Sequence, residues 1–126
     1  VSFEDLISKS DIISFHCKAP KDGKPLISKD HYKKMKPTSY IINAARGNIV
    51  DEKDLNEALN EGLIAGAAVD VFSKEPAKEN VLFNNPKVIA TPHIAASTTE
   101  ASIVVAEMVA NQISDFLLKG IKLNTV

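Results

Sequence analysis

The sequence is poor in net charge and in cysteine. Of its 126 residues, 15 are Lys or Arg and 16 are Asp or Glu, which gives a formal net charge of -1. So small a charge creates no long-range field that would attract nucleic acid or an anionic membrane. Cys17 is the single cysteine, so no internal disulfide can form, and this usage suits a reducing compartment.

Long apolar runs and several functional motifs are also absent. No uninterrupted apolar run approaches the length of a membrane span, and residues 1–5 lack the basic start of a signal peptide. We therefore expect a cytoplasmic protein that binds neither membranes nor nucleic acid. No pair of His, Cys or acidic residues shows ligand spacing with a matching second pair, so we expect no metal site. A serine nucleophile is not expected either, because no Gly-x-Ser-x-Gly elbow occurs.

Short β-rich apolar runs alternate with amphipathic segments along the chain. This alternation is typical of parallel strands joined by crossover helices. The pattern predicts strands at residues 11–16, 39–44, 65–72 and 87–91, and helices at residues 3–9, 28–35, 51–62 and 97–118. Ser28, Asp51 and Ser97 are the predicted N-caps of the last three helices. The predicted fold class is α/β, with a doubly wound parallel sheet.

Three successive predicted strands are each followed by an ionisable residue. Arg46 follows the second strand, Glu75 the third and His93 the fourth. The carboxyl ends of parallel strands lie at one edge of a sheet, where ligands bind, so these three side chains are expected to converge. Taken singly, Arg46 would be explained by a surface salt bridge. Glu75 would be explained as a solvated loop acid, and His93 as a cap of the final helix. His16 is a weaker candidate, and His31 is expected to be exposed.

The three side chains are suited to the oxidation of a hydroxy acid. Arg46 is the only arginine against fourteen lysines, and its planar fork can bind a carboxylate with two parallel hydrogen bonds. A histidine such as His93 can take a proton from a hydroxyl, and a carboxylate on its far nitrogen fixes its tautomer. Because no side chain accepts a hydride, a cofactor must do so.

Three ordered motifs resemble those of the D-isomer-specific 2-hydroxyacid dehydrogenases. They are residues 43–51 (NAARGNIVD), 70–76 (DVFSKEP) and 91–94 (TPHI). Residues 95–101 (AASTTEA) and the closing 124–126 (NTV) are most similar to the phosphoglycerate dehydrogenase branch of that family. The resemblance implies an NAD-dependent enzyme that transfers a hydride between nicotinamide and a small D-2-hydroxy acid. In that branch the acid is 3-phosphoglycerate, in serine biosynthesis.

The resemblance also implies roles for individual residues. His93 would be the acid/base, Glu75 its partner, and Arg46 the anchor of the substrate carboxylate and carbonyl. The residues implied on the nicotinamide side of the NAD site are Ala44, Ala45, Arg46, Asp70, His93, Ile94, Ala95 and Ala96. Cys17 would lie near the adenosine side, although relatives place a proline two residues after the histidine equivalent to His16, where this chain has Lys18.

The chain departs from the family pattern in lacking a Gly-x-Gly-x-x-Gly motif. The family places that motif upstream of the position where this sequence begins, and builds a separate substrate domain from both ends of its chain. We therefore expect residues 1–126 to be the second half of a Rossmann-type domain, with residues 97–126 leading back toward the substrate domain. The resemblance further implies a homo-oligomer, a dimer or a tetramer. An alternative is a catalytically silent NAD(H)-sensing module of the corepressor type.

Overall fold

A computed structural model of the chain describes residues 1–124, and its centre is a four-stranded parallel sheet. The strands are β1 (Ile12–Phe15), β2 (Tyr40–Asn43), β3 (Gly66–Val69) and β4 (Val88–Ala90), in the spatial order β1-β2-β3-β4. The helices are α1 (Phe3–Lys9), α2 (Lys29–Tyr32), α3 (Glu52–Asn60) and α4 (Thr99–Lys119), and a 3-10 turn spans Gly47–Ile49. The predicted α/β class with a parallel sheet is confirmed.

The chain divides into two compact units, of which the first, Val1–His93, contains the whole sheet and the core. Ile13 of β1, Ile41 of β2 and Ala67 of β3 are in register across the sheet, and all three are buried. Strands buried in this way need side chains that fill the space between sheet and helices, which explains their near-continuous apolar sequences. The parallel register places the carboxyl ends of all four strands at one edge.

Helix α3 shows how the local sequence sets a boundary and a buried face. Asp51 caps it, because its side chain accepts hydrogen bonds from the backbone N–H groups of Lys53 and Asp54. Leu55 and Leu59, four residues apart, lie on one face and are fully buried. The beginning of α3 is thereby fixed close to the connection that follows β2.

The end of α2 and the cap of α4 differ from the predicted ones. Helix α2 ends at Tyr32 rather than near residue 35, because Lys34 and Met35 donate to carbonyls three residues earlier, in the tighter 3-10 pattern. Helix α4 is capped by Thr98 and not by Ser97: the Thr98 hydroxyl accepts from the Ala101 N–H. Both residues are good caps, so the sequence alone does not distinguish them.

The second unit begins at Ile94 and consists mainly of α4, a helix of 21 residues. None of its described residues is buried, and Gly120 ends it with a left-handed backbone, φ 68°. By length and composition the helix is apolar enough to cross a membrane, with a mean hydropathy of 1.3, as is the core helix of many water-soluble proteins. The uninterrupted-run criterion did not predict this, because Glu107 and Asp115 interrupt the apolar sequence of the helix. Of the closing motif 124–126, residues 125 and 126 lie outside the described residues.

Candidate active site

His93 and Glu75 form a hydrogen-bonded pair at the carboxyl edge of the sheet. His93 follows β4 and Glu75 lies in the loop after β3, and the His93 Nδ1 is 2.6 Å from the Glu75 Oε2. The other carboxylate oxygen, Oε1, accepts the Phe72 N–H at 2.9 Å. These two bonds, the one from Phe72 first, hold the pKa of Glu75 below its ordinary value of 4.5. Glu75 is therefore ionised at neutral pH, and it favours the proton on Nδ1 of His93.

The backbone of His93 is strained. Its φ is 57°, in the left-handed region that residues other than glycine rarely occupy. Such conformations cost free energy, persist only where the surroundings impose them, and cluster at functional sites. The left-handed turn comes directly after Pro92, where the chain leaves the sheet, and it occurs at the residue whose ring meets Glu75.

Arg46 shares a cavity with this pair. The cavity has a volume of about 250 Å³, and its lining includes Arg46, Glu75 and His93. The exposed guanidinium donates through Nη1 to the Ala45 carbonyl at 2.7 Å. The structure thus brings together the three side chains that follow β2, β3 and β4. A volume of this size suits a small organic acid.

The loop that carries Arg46 is held by Asn43, the last residue of β2. Asn43 is buried, its side-chain oxygen accepts the Ala45 N–H at 3.2 Å, and its side-chain nitrogen donates to the Arg46 carbonyl at 3.0 Å. One amide therefore satisfies both a donor and an acceptor of the turn. This side chain fixes the direction in which the backbone leaves the sheet at Arg46.

Asp70 lies at the end of β3 and is buried. It accepts a hydrogen bond from the Thr91 hydroxyl, 2.5 Å from its Oδ1. Its backbone N–H donates to the Asn43 carbonyl at 2.9 Å. Thr91, after β4, thereby holds the Asp70 carboxylate, and Asn43, the last residue of β2, holds the Asp70 backbone.

A second cavity, of about 440 Å³, lies at the carboxyl ends of β1 and β2. Its lining includes Cys17, Ala44, Ala45 and Arg46. Ala44 and Ala45 leave open space, and Arg46 adds a positive charge to the lining, which suits an anionic cofactor such as NAD. Ile94, Ala95 and Ala96 belong to the second unit, where the Ser97 N–H closes a turn onto the Ile94 carbonyl.

The remaining histidines have structural partners. The His16 Nε2 lies 2.9 Å from the Ser14 hydroxyl, and the His31 Nδ1 accepts the Ser28 N–H at the start of α2. His31 is half-buried rather than exposed as expected. Within residues 1–124, no group of three His, Cys, Asp or Glu side chains could hold a metal ion.

Four residues that bond to the loops of the site were not predicted from the sequence, namely Asn43, Glu52, Ser73 and Thr91. Asn43 and Thr91 carried a signal, since each is polar and lies in the last two residues of a predicted strand. Glu52 and Ser73 carried none. The two residues are 21 positions apart, and the Glu52 carboxylate accepts hydrogen bonds from the Ser73 N–H and hydroxyl. No sequence periodicity predicts such a pair.

Several known proteins are similar to this chain. The D-3-phosphoglycerate dehydrogenase of Bacillus subtilis is 45% identical over 115 residues, which are 91% of this chain and 22% of that enzyme. A glyoxylate reductase structure from Paecilomyes thermophila superposes with a TM-score of 0.85 at 35% identity, covering 98% of this chain and 38% of the other. The D-lactate dehydrogenase of Lactobacillus jensenii with NAD+ superposes with a TM-score of 0.82 at 29% identity, covering 100% of this chain and 42% of the other.

The chain spans about a fifth of the length of the phosphoglycerate dehydrogenases that it matches. The family model of the D-isomer specific 2-hydroxyacid dehydrogenase NAD binding domain matches residues 1–95, three quarters of the chain. NAD is the cofactor of this domain, and the parallel sheet with its helices is a Rossmann-like half of it. The chain therefore belongs to the NAD-binding domain family of the D-isomer specific 2-hydroxyacid dehydrogenases.

Proposed function

We propose that the complete protein is an NAD-dependent dehydrogenase of D-2-hydroxy acids, and that its substrate is 3-phosphoglycerate. The observation that carries the activity is the Glu75–His93 hydrogen bond of 2.6 Å in the cavity that Arg46 also lines. The substrate is supported by 45% identity to phosphoglycerate dehydrogenase. Glyoxylate reductases match with the same range of identity, 41–45%, so the substrate needs a direct comparison.

The bond to Glu75 determines what His93 can do. With Nδ1 donating its proton to the carboxylate, Nε2 carries the lone pair and accepts the proton of a substrate hydroxyl. In the reverse direction, the doubly protonated ring returns that proton to the carbonyl oxygen. The Glu75 carboxylate stabilises the positive ring that forms between these steps. NAD, when bound, supplies the acceptor for the hydride that leaves the carbon bearing that hydroxyl.

Arg46 is assigned to the substrate carboxylate, next to the carbon that reacts. Its guanidinium binds the substrate carboxylate and orients the adjacent carbon between His93 and the cofactor edge of the sheet. Asp70, buried and fixed by Thr91, lies at the carboxyl end of β3, and we assign it with Ala44 and Ala45 to the nicotinamide side. Cys17 is assigned to the adenosine side of the cofactor, and Ile94, Ala95 and Ala96 to the turn after His93.

Replacing Arg46 by lysine in the complete protein tests this assignment. A lysine keeps the charge but not the planar fork, so kcat/KM for the hydroxy acid should fall about 100-fold. The dissociation constant of NADH, measured by fluorescence, should change by less than about threefold, since the cofactor keeps its other contacts. Equal losses in turnover and in NADH binding would contradict the role given to Arg46.

The same assays distinguish substrates and the alternative function. We expect kcat/KM to be higher for 3-phosphoglycerate than for glycolate or D-lactate, measured with NAD+. If the complete protein binds NADH but oxidises none of these acids, and Arg46→Lys changes nothing, the NAD(H)-sensing module of the corepressor type is favoured instead.

A further inference from the structure

The loop that carries Glu75 is bound to helix α3 by a single carboxylate. The Ser73 N–H donates to the Glu52 Oε1 at 2.7 Å, and the Ser73 hydroxyl donates to the Glu52 Oε2 at 2.9 Å. Both oxygens of Glu52 are therefore directed at one residue. Bonds to an ionised acceptor are stronger than those between neutral groups, and two of them fix an orientation as well as a distance.

Glu52 is not needed to begin the helix. Asp51 already accepts the free N–H groups of Lys53 and Asp54. A carboxylate in the first turn is also favoured by the helix dipole without any further partner. The two bonds to Ser73 therefore serve the loop rather than the helix.

The bonded residue lies at a sensitive point of the loop. Ser73 directly follows Phe72, whose N–H donates to the Glu75 Oε1, while the Glu75 Oε2 meets His93. The Ser73 N–H and the Phe72 N–H belong to adjacent peptide units joined at the Phe72 Cα, so a shift of the Phe72–Ser73 peptide would also displace the Phe72 N–H that orients the Glu75 carboxylate. The loop is also in close contact with Gly47, next to Arg46, since a Cβ at Gly47 would overlap the Phe72 carbonyl.

We propose that Glu52 is a positioning residue, which acts through Ser73 to hold the Glu75 carboxylate against Nδ1 of His93. Loss of Glu52 releases the loop, weakens the Glu75–His93 bond and lets the neutral imidazole adopt its other tautomer. Nε2 is then protonated and cannot accept a proton from a substrate. The kinetic consequence rests on the proposed function, whereas the tautomer consequence does not.

The tautomer of His93 in the complete protein provides the test, read from 15N spectra of labelled histidine. At about pH 9, where imidazoles are uncharged, wild type should carry the proton on Nδ1, and Glu52→Ala should shift it toward Nε2. Glu52→Gln should retain the wild-type tautomer, because its amide oxygen accepts the Ser73 N–H and its NH2 donates to the Ser73 oxygen. Glu57→Gln is the matched control: this acid of the same helix pairs with Lys29 instead.

Kinetics give a second readout. Glu52→Ala should lower kcat about tenfold or more while KM for NADH stays within about threefold, since a small displacement of the base costs the chemical step most. Ser73→Ala loses one of the two bonds and should lie between wild type and Glu52→Ala, which keeps the proposal testable if Glu52→Ala does not fold.

The outcomes separate the two proposals. A wild-type tautomer in Glu52→Ala and Ser73→Ala would overturn the role of Glu52, even in an active enzyme. A tautomer shift in a protein that turns over no 2-hydroxy acid would support the role of Glu52 and overturn the proposed function.

Discussion

At the scale of single residues, the Glu75 carboxylate links the chemistry of the site to the stability of the fold. Its pKa is lowered in the folded state, so it stabilises that state above the unfolded pKa of about 4.5. The contribution is lost as the pH falls through the lower, folded value. Acid should therefore weaken the protein through this residue in the window below about pH 4.5.

Glu75→Gln should make unfolding less sensitive to acid. A glutamine does not titrate, so the decrease in the free energy of unfolding below about pH 4.5 should be smaller in the variant than in wild type. Urea unfolding of the complete protein at a series of pH values measures this. Glu79→Gln, an acid of the same loop region, is the control. Identical pH slopes in Glu75→Gln and wild type would show that the carboxylate is not stabilised by folding.

Tyr32 offers a second prediction at this scale. The residue is fully buried, and its hydroxyl has no hydrogen-bond partner within residues 1–124. Burial, with Asp54 and Asp51 nearby, raises the pKa of Tyr32. An unsatisfied buried hydroxyl costs about 1–3 kcal/mol, so Tyr32→Phe should raise the free energy of unfolding by about 1 kcal/mol.

Chemical denaturation measures the effect of Tyr32→Phe, with Tyr40→Phe as the control. Tyr40 is half exposed, so water satisfies its hydroxyl and the control should change stability by less than about 0.5 kcal/mol. A Tyr32→Phe variant that is less stable than wild type would mean that the hydroxyl bonds a group outside the described chain.

At the scale of elements, the connection between β2 and α3 packs directly on the loop after β3. Gly47 permits this approach, because a Cβ there would overlap the Phe72 carbonyl. The contact brings the segments carrying Arg46 and Glu75 together. Their spacing therefore depends on backbone contact as well as on side chains.

Gly47→Ala should force the two segments apart. We expect a loss of about 3 kcal/mol in the free energy of unfolding, since backbone must move to admit the methyl group. Gly62→Ala is the control: its φ is 72° but its Cβ would meet open space, so only backbone strain of about 1 kcal/mol is expected. Thermal and urea unfolding of both variants decide this, and equal losses would contradict the close approach.

The sequence predicted the elements better than the contacts between them. The residues that follow β2, β3 and β4 could be located because each strand is a short apolar run with an ionisable residue after it. The hydrogen bonds of Ser73 with Glu52 could not be predicted, since both side chains are equally suited to facing water. Nor could the sequence distinguish Ser97 from Thr98 as the cap of α4, because both hydroxyls suit the position.

At the scale of the whole molecule, the sheet of the first unit ends at β1. In the order β1-β2-β3-β4 the outer strands are β1 and β4, and one side of β1 has no neighbouring strand among the described residues. The Ile12 side chain of β1 is 61% exposed. Exposed strand edges pair with other chains. In the complete protein we expect a further strand of the nucleotide-binding domain to cover this edge.

The isolated 126-residue chain should therefore associate in solution. Light scattering after size-exclusion chromatography should show dimers or larger species at tens of micromolar, because the open edge can pair with a second copy. Ile12→Lys puts a charge on that strand at an exposed position and should reduce the association. A monomer at the same concentration, with cooperative unfolding, would contradict this account of the edge.

The central claim is that His93, held by Glu75, moves the proton while a hydride passes between cofactor and substrate. The most direct test follows deuterium from NADH labelled at C4 to C2 of 3-phosphoglycerate formed from its 2-oxo acid, using the complete protein and His93→Gln. Wild type should transfer the label, and His93→Gln should do so about 1000-fold more slowly while binding NADH normally. Unchanged transfer in His93→Gln, or label lost to solvent in wild type, would contradict the account.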